Sequence, residues 1–250
     1  MTQVTSSAVS SSSPFIRKLE AFALLSDEDR LMLERISTEP YVVDPQTDLV
    51  REGDKPDGVY LIMKGMACRH KRLVSGARQI MAYLVPGDLC DLDVALLDQM
   101  DHTITTLSAC KVVRLSPKTV TDIMEDHPAV ARGLRIGTLV DEATLREWLL
   151  NVGRRTPIQR LAHLFCELFE RLAVVGQVRH DSFSLPLAHT DLADTTGLTK
   201  VHVTRSIQEL RQQRLIDLTD GDLKILDLPR LREIAGFRAN YLHLGDAAAA

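Results

Sequence analysis

The sequence predicts an α+β chain with a strand-rich first half, a long central helix and a compact helical unit closed by a β-hairpin. Three observations carry this. From Tyr41 to about Ser116, short apolar runs are cut by Gly, Asp and Pro, the texture of a small barrel or roll. Helical texture returns at Pro128 and continues to about Val152, with Gly153 as its end. Beyond that, residues 190–210 read as helix, tight turn and helix. Two apolar-rich runs follow, Leu215–Leu218 and Leu223–Leu226, on either side of Asp220-Gly221. That dipeptide suits a hairpin turn with positive φ, and a helix pair followed by a hairpin is a winged helix-turn-helix.

Taken in order, Met1–Ser13 is Ser-rich and lacks the apolar core of a signal peptide, so it is expected to be a disordered arm. Phe15–Ser37 has helical texture, with Ser26 capping a segment that begins Asp27-Glu28, where acids suit the positive end of the helix dipole. Three strand-like runs follow: Val59–Met63, Arg78–Val85 closed by Pro86-Gly87-Asp88, and Leu107–Leu115. Pro128 suits a first helical turn. The helix after it carries more apolar residues than one solvated face needs, which predicts packing on the roll on one side and on a second copy of the chain on the other. Leu134, Val140, Leu145 and Trp148 are the residues assigned to that dimer interface. Arg154-Arg155-Thr156-Pro157 breaks the pattern and reads as a hinge. Ile158–Leu172 then resumes as a helix with Leu161, Leu164, Phe165, Leu168 and Leu172 on one stripe, and Ser182–Pro186 is a short strand. The organisation expected is an arm at 1–13, a roll at 14–126, a dimerisation helix at 127–153, a winged helix-turn-helix at 154–237 and a tail at 238–250.

Composition narrows the function. The chain has 250 residues, 45% of them apolar and 26% charged, with a net charge of −4. This supports a real core and excludes a generally basic nucleic-acid coat. No apolar segment approaches the ~20 residues needed to span a bilayer. Cys68, Cys90, Cys110 and Cys166 show no CxxC spacing, so reduced thiols and a cytoplasmic location are expected. No Ser/His/Asp set, metal-ligand helix or phosphate loop is found, and the reading is a non-enzyme with no cofactor and no metal site.

The helix pair carries the chemistry. Thr190 is placed to cap its first helix, Gly197 to end it and Thr199 to cap the second. In the second helix Val203, Ile207 and Leu210 form an inward stripe, while Val201, Arg205 and Gln208 point the opposite way. An exposed arginine and glutamine suit a reader of double-stranded DNA, because they match guanine and adenine edges bidentately in the major groove. Lys200, Arg205, Arg211 and Arg214, opposed only by Glu209, supply local positive charge. Lys200 and His202 flank the reading face within reach of phosphate, with Thr204 beside them. The wing is expected along phosphate, where it fixes register.

Several motifs occur together in one order: Glu52-Gly53-Asp54 with Tyr60–Gly65, then Pro86-Gly87-Asp88, then Gly153–Pro157 with Arg160-Leu161-Ala162, then Asp191-Leu192-Ala193, Gly197-Leu198-Thr199 and Thr204-Arg205. With them the chain resembles the Crp/Fnr superfamily of bacterial transcription regulators over nearly its whole length. The resemblance implies an N-terminal β-roll of the cyclic-nucleotide-binding type, a long dimerisation helix and a C-terminal winged helix-turn-helix. It also implies a homodimer on palindromic promoter sites in contact with RNA polymerase. Where the best-known members carry a glutamate, this chain has Val201, which touches a thymine methyl but cannot accept from cytosine. In cyclic-AMP-binding members a Gly-Glu pair and an Arg-Ser pair hold the sugar and phosphate. Counting from Gly87, those positions fall on Asp91-Leu92 and His102-Thr103, with the histidine expected to be neutral and no arginine to replace the phosphate grip. The pocket is therefore read as degenerate. The alternative is a regulator answering to a cyclic nucleotide, a haem-bound gas or a redox signal through the roll, with Met66, Cys68 and His70 as conceivable soft ligands and Cys90 as a conceivable thiol switch.

Overall fold

The structure, a computed structural model, describes residues 13–92 and 96–244. Residues 1–12 of the expected arm and 245–250 of the expected tail lie outside the described residues. The helical texture at 15–37 resolves into two helices, α1 (Pro14–Glu20) and α2 (Asp27–Ile36). Ser26 caps α2 as expected: its Oγ accepts from the Asp29 N–H at 3.1 Å, and the Asp29 carboxylate accepts from the Ser26 N–H at 2.9 Å. These reciprocal bonds satisfy two backbone donors that the helix cannot.

The roll holds eight strands among the described residues: β1 (Tyr41–Val43), β2 (Asp48–Val50), β3 (Val59–Lys64), β4 (Ala67–Arg72), β5 (Arg78–Leu84), β6 (Leu89–Cys90), β7 (Thr103–Thr106) and β8 (Cys110–Leu115). They form two antiparallel sheets, ordered β1-β8-β3-β6 and β2-β7-β4-β5. Ile62 opposite Val112 on one sheet faces Ala67, Leu84 and Ile104 on the other across the interior. Leu61, one residue before Ile62, points the other way and packs with Phe15, Leu19 and Val130 of the helices that cover the first sheet. Buried on both sides, β3 loses polar alternation, and this is why it reads as an unbroken apolar run.

After β8, Ser116 caps α3 (Pro117–Asp126), a helix that strand texture up to Ser116 did not announce. α4 (Pro128–Arg154) is the long helix, and α5 (Pro157–Val174) follows a two-residue extended break. Three residues assigned to a partner chain are used up within this one. Leu134 packs against the helices of the roll, and Val140 and Trp148 sit in the core that α4 shares with α5. Trp148 Nε1 also donates to Glu167 at 2.9 Å, which fixes its ring toward α5. Of the four only Leu145 is outward, at 53% exposure, in company with Leu139 (58%), Leu149 (75%) and Leu150 (46%).

The C-terminal unit contains β9 (Ser182–Ser184), α6 (His189–Thr196), α7 (Lys200–Gln212), β10 (Ile216–Thr219), β11 (Asp222–Ile225) and α8 (Leu228–Ala235). It is not suspended on a free hinge. The outer face of the second sheet, through Met66, Cys68, Ile80 and Tyr83, belongs to the same buried core as α5, α6 and α7. Nor does the ordered chain stop at 237: Tyr241 and Leu242 are buried in that core, and the Tyr241 hydroxyl donates to Glu167 at 2.8 Å. No helix among the described residues is long and apolar enough to cross a membrane.

Candidate nucleic-acid interface and effector pocket

The helix pair is held by local chemistry. α6 begins at His189, two residues earlier than a Thr190 cap implies, so Thr190 lies inside it and is not its cap. The Asp191 carboxylate accepts from the Ala188 N–H at 2.9 Å instead, an acid in the first turn where the helix dipole favours it. Gly197 ends α6 with φ of 63°, and a side chain there would crowd Val152 of α4 at 3.2 Å. Thr199 caps α7 as expected, its Oγ1 accepting from the His202 N–H at 3.3 Å. Arg160 ties this corner to the break after α4: its Nη1 donates to the Thr196 carbonyl at 2.7 Å and its Nε to the Arg155 carbonyl at 2.9 Å.

On α7 the inward stripe Val203, Ile207 and Leu210 is buried. Lys200, Val201, His202, Arg205 and Gln208 are exposed, and Arg205 enters no ion pair among the described residues. Thr204 is half-buried and turned back on its own backbone, bonding the Lys200 carbonyl at 3.0 Å and His189 Nδ1 at 3.1 Å. Arg211 ends the helix paired with Asp217 at 3.1 Å, whereas Arg214 lies past the last turn with φ of 55°. The hairpin forms about the expected turn, with Asp220 and Gly221 both at positive φ, Ile216 opposite Ile225 and Thr219 opposite Asp222. Its exposed tip carries Asp220 and Asp222, a charge that opposes phosphate.

The second region is a cavity of about 370 Å³ between the roll, α1 and α4. Asp91, Leu92 and His102 line it as the sequence placed them. Thr103 does not; its hydroxyl accepts from the Glu52 N–H at 3.1 Å. An arginine unforeseen in the sequence does enter: Arg69 of β4 donates to Asp91 at 2.7 Å. His102 sits 3.0 Å from Asp91 through Nε2 and 2.7 Å from Asp101 through Nδ1. Burial works against its protonation, but the bonds and charge of the two carboxylates outweigh that and hold its pKa above the ordinary value, contrary to the neutral imidazole expected. Asp91 is half-buried, which works against its ionisation, yet His102 and Arg69 keep its pKa low. Burial raises the pKa of Asp141, which lines the same cavity from α4.

These residues do not fit a cyclic phosphate. Arg69 Nη2 is already matched to Asp91, although its Nε is buried without a hydrogen-bond partner, and a second anion would enter beside the carboxylates of Asp91, Asp101 and Asp141. Asp88 of the Pro-Gly-Asp turn is likewise committed, receiving Lys18 at 2.5 Å and Arg171 of α5 at 2.8 Å. Of the conceivable soft ligands, His70 bonds Thr105 Oγ1 through Nε2 at 2.9 Å while its Nδ1 has no hydrogen-bond partner, and no group of three His, Cys, Asp or Glu residues that could hold a metal ion occurs among the described residues. All four cysteines are buried; burial pushes the Cys68 thiol to about 12 and Cys90 well up, which removes the thiolate a redox switch needs.

Missed by the sequence reading were Arg69, Arg78, Arg160 and Arg171. Only Arg160 had a signal, its place in the motif after the helix break.

Comparison with known proteins agrees with this geometry. Residues 42–127 match the model of the cyclic nucleotide-binding domain, and residues 159–234 match that of the Crp-like helix-turn-helix domain. The chain is 30% identical over 228 residues to the transcriptional activator protein FnrL of Cereibacter sphaeroides, covering 88% of this chain and 90% of that one. It is 25% identical over 184 residues to the nitrogen fixation regulation protein FixK of Bradyrhizobium diazoefficiens, covering 74% and 76%. The solved structure of FixK2 from Bradyrhizobium japonicum shares the fold with a TM-score of 0.71 at 21% identity, over 80% of this chain and 98% of that one.

Proposed function

The chain belongs to the Crp/Fnr superfamily of DNA-binding transcription regulators, and from that premise we propose that it reads a palindromic promoter site as a homodimer without a cyclic nucleotide. The observation that carries this is the exposed, unpaired Arg205 on a capped α7, set beside Val201 and Gln208. Arg205 is assigned to guanine and Gln208 to adenine, with Val201 against a thymine methyl. Lys200, His202, Thr199 and Thr190 flank that face toward phosphate, while Thr204 orients the helix through His189.

Dimerisation is assigned to the outward leucines of α4, Leu139, Leu145, Leu149 and Leu150, in place of Leu134, Val140 and Trp148. A leucine stripe on a 27-residue helix is apolar surface of the kind that a second helix covers in a two-stranded seam. Two half-sites on one face of the duplex then match the two-fold symmetry. The committed charges of the cavity support independence from a cyclic nucleotide. Contact with RNA polymerase and action in the cytoplasm complete the reading.

The test is selection of binding sites from a random duplex library by the reduced, ligand-free protein. A two-fold palindrome should emerge, and the Val201→Glu variant should gain cytosine at the adjoining position. Selection of unrelated sequences would refute sequence-specific reading, and selection only after cyclic AMP is added would refute independence from it.

A further inference from the structure

α6 lies against β5, the edge strand of the second sheet, and the contact is polar at its outer end. Arg78, the first residue of β5, donates through Nε to Asp194 at 2.7 Å and through Nη2 to Asp191 at 2.5 Å. The Arg78 and Asp191 side chains are 11% and 10% exposed. Next to it, Gln79 Nε2 donates to the Thr195 carbonyl at 3.2 Å, and further along β5 the Tyr83 hydroxyl shares a 2.5 Å hydrogen bond with Thr195 Oγ1. Asp191, Asp194 and Thr195 are spaced i, i+3, i+4, which places them on one face of α6. The other face, through Leu192, shares a core with Val203 and Ile207 of α7. Whatever holds α6 therefore holds the recognition helix.

The charge balance makes Arg78 decisive. Two carboxylates one turn apart converge on a single guanidinium, and without it they would sit as like charges in a largely dehydrated contact. Asp191 cannot turn away freely, because the same carboxylate receives the Ala188 N–H at the start of α6. On the opposite side the unit joins α4 through the extended residues Arg155 and Thr156.

We propose that Arg78 is a positioning residue for DNA reading: by clamping Asp191 and Asp194 it fixes the helix-turn-helix on the roll and sets the separation at which the two recognition helices of the dimer meet the duplex. This rests on the reading of paired half-sites, which lie about 34–36 Å apart on B-DNA.

The test compares wild type with Arg78→Gln, Arg78→Asp, and Arg78→Asp combined with Asp194→Arg, all in the full chain; Arg78→Gln stands in should Arg78→Asp fail to fold. Amide hydrogen exchange in α6 and α7 without DNA reads the clamp alone. Affinity is then measured for duplexes whose two half-sites are moved apart one base pair at a time, and for a duplex with a single half-site. The loss of the clamp should speed exchange in α6 and cut affinity at the best spacing, each by about tenfold. Single half-site affinity should stay within about twofold, so the spacing profile flattens. The charge-swapped double variant should restore both. Unchanged exchange in Arg78→Asp would overturn the clamp. A spacing profile that keeps its shape, an equal loss on the single half-site, or no rescue by the swap would overturn the positioning role. A wild type with no preferred spacing would overturn the paired-half-site reading and the spacing role with it, while leaving the exchange result to judge the clamp.

Discussion

The reading face of α7 and the cavity of the roll handle their charged groups in opposite ways. On α7, Arg205 is exposed and enters no ion pair, so its donors are free for an outside partner. In the cavity, Arg69 Nη2 and His102 Nε2 are both tied to Asp91, while Arg69 Nε is buried without a hydrogen-bond partner. Where charge is left open, the surface is built to bind. Where charge is internally matched, the same residue types act as scaffold. The difference lies in the partners, not in the composition, since each region presents an arginine and a histidine.

The comparison can be broken most severely at the dimer. Replacing both Leu145 and Leu149 by Glu should yield a monomer by sedimentation and lower palindrome affinity more than a hundredfold, about what losing one of two linked half-sites costs. A dimer that survives would shift the interface elsewhere. Arg205→Ala comes next: it should cost about 1–3 kcal/mol per half-site and abolish the guanine preference in competition binding, with the dimer intact. Retained site selection would remove Arg205 from the reading face.

The cavity offers a smaller effect with a definite sign. His102 has a raised pKa in the folded protein, so its contribution is fully present below its unfolded value near 6.5 and is lost as pH rises through the folded pKa. His102→Gln should therefore lower stability by about 1 kcal/mol at pH 5.5–6 and much less at pH 9, as read by urea denaturation. A pH-independent loss would contradict a charged link to Asp91 and Asp101. The smallest effect belongs to the wing. Asp220→Lys should tighten DNA binding severalfold and steepen its salt dependence, since it replaces repulsion by a phosphate contact. No change would place the wing tip away from the backbone.

Much of the binding face was legible in the sequence because its causes are local. Gly197 and Thr199 end and begin helices through their own backbone and side chain, and the spacing of Val203, Ile207 and Leu210 settles which side of α7 is buried. The Asp220-Gly221 turn is equally local. Thr190 is not the cap because α6 starts at His189, with Ala188 at the cap position and the Asp191 carboxylate accepting its N–H; sequence spacing does not rank the possible starts. Leu134, Val140 and Trp148, expected at a dimer interface, are buried within this chain. An apolar residue on a long helix is compatible with its own chain or with a second copy, and the distant elements packed against it, such as Glu167 of α5 against Trp148, decide which.

By itself, then, the sequence determined the elements of the DNA-reading unit, the roll texture and the family, all of which depend on short-range periodicity, caps and turns. Tertiary structure alone decided that Arg69 meets Asp91, that Arg171 meets Asp88 and that Arg78 meets Asp191 and Asp194. These pairs are separated by 22 to 116 positions along the chain. An arginine carries no mark of which distant carboxylate it will find, because that choice depends on the packing of whole sheets and helices and on the cost of leaving any buried charge unmatched.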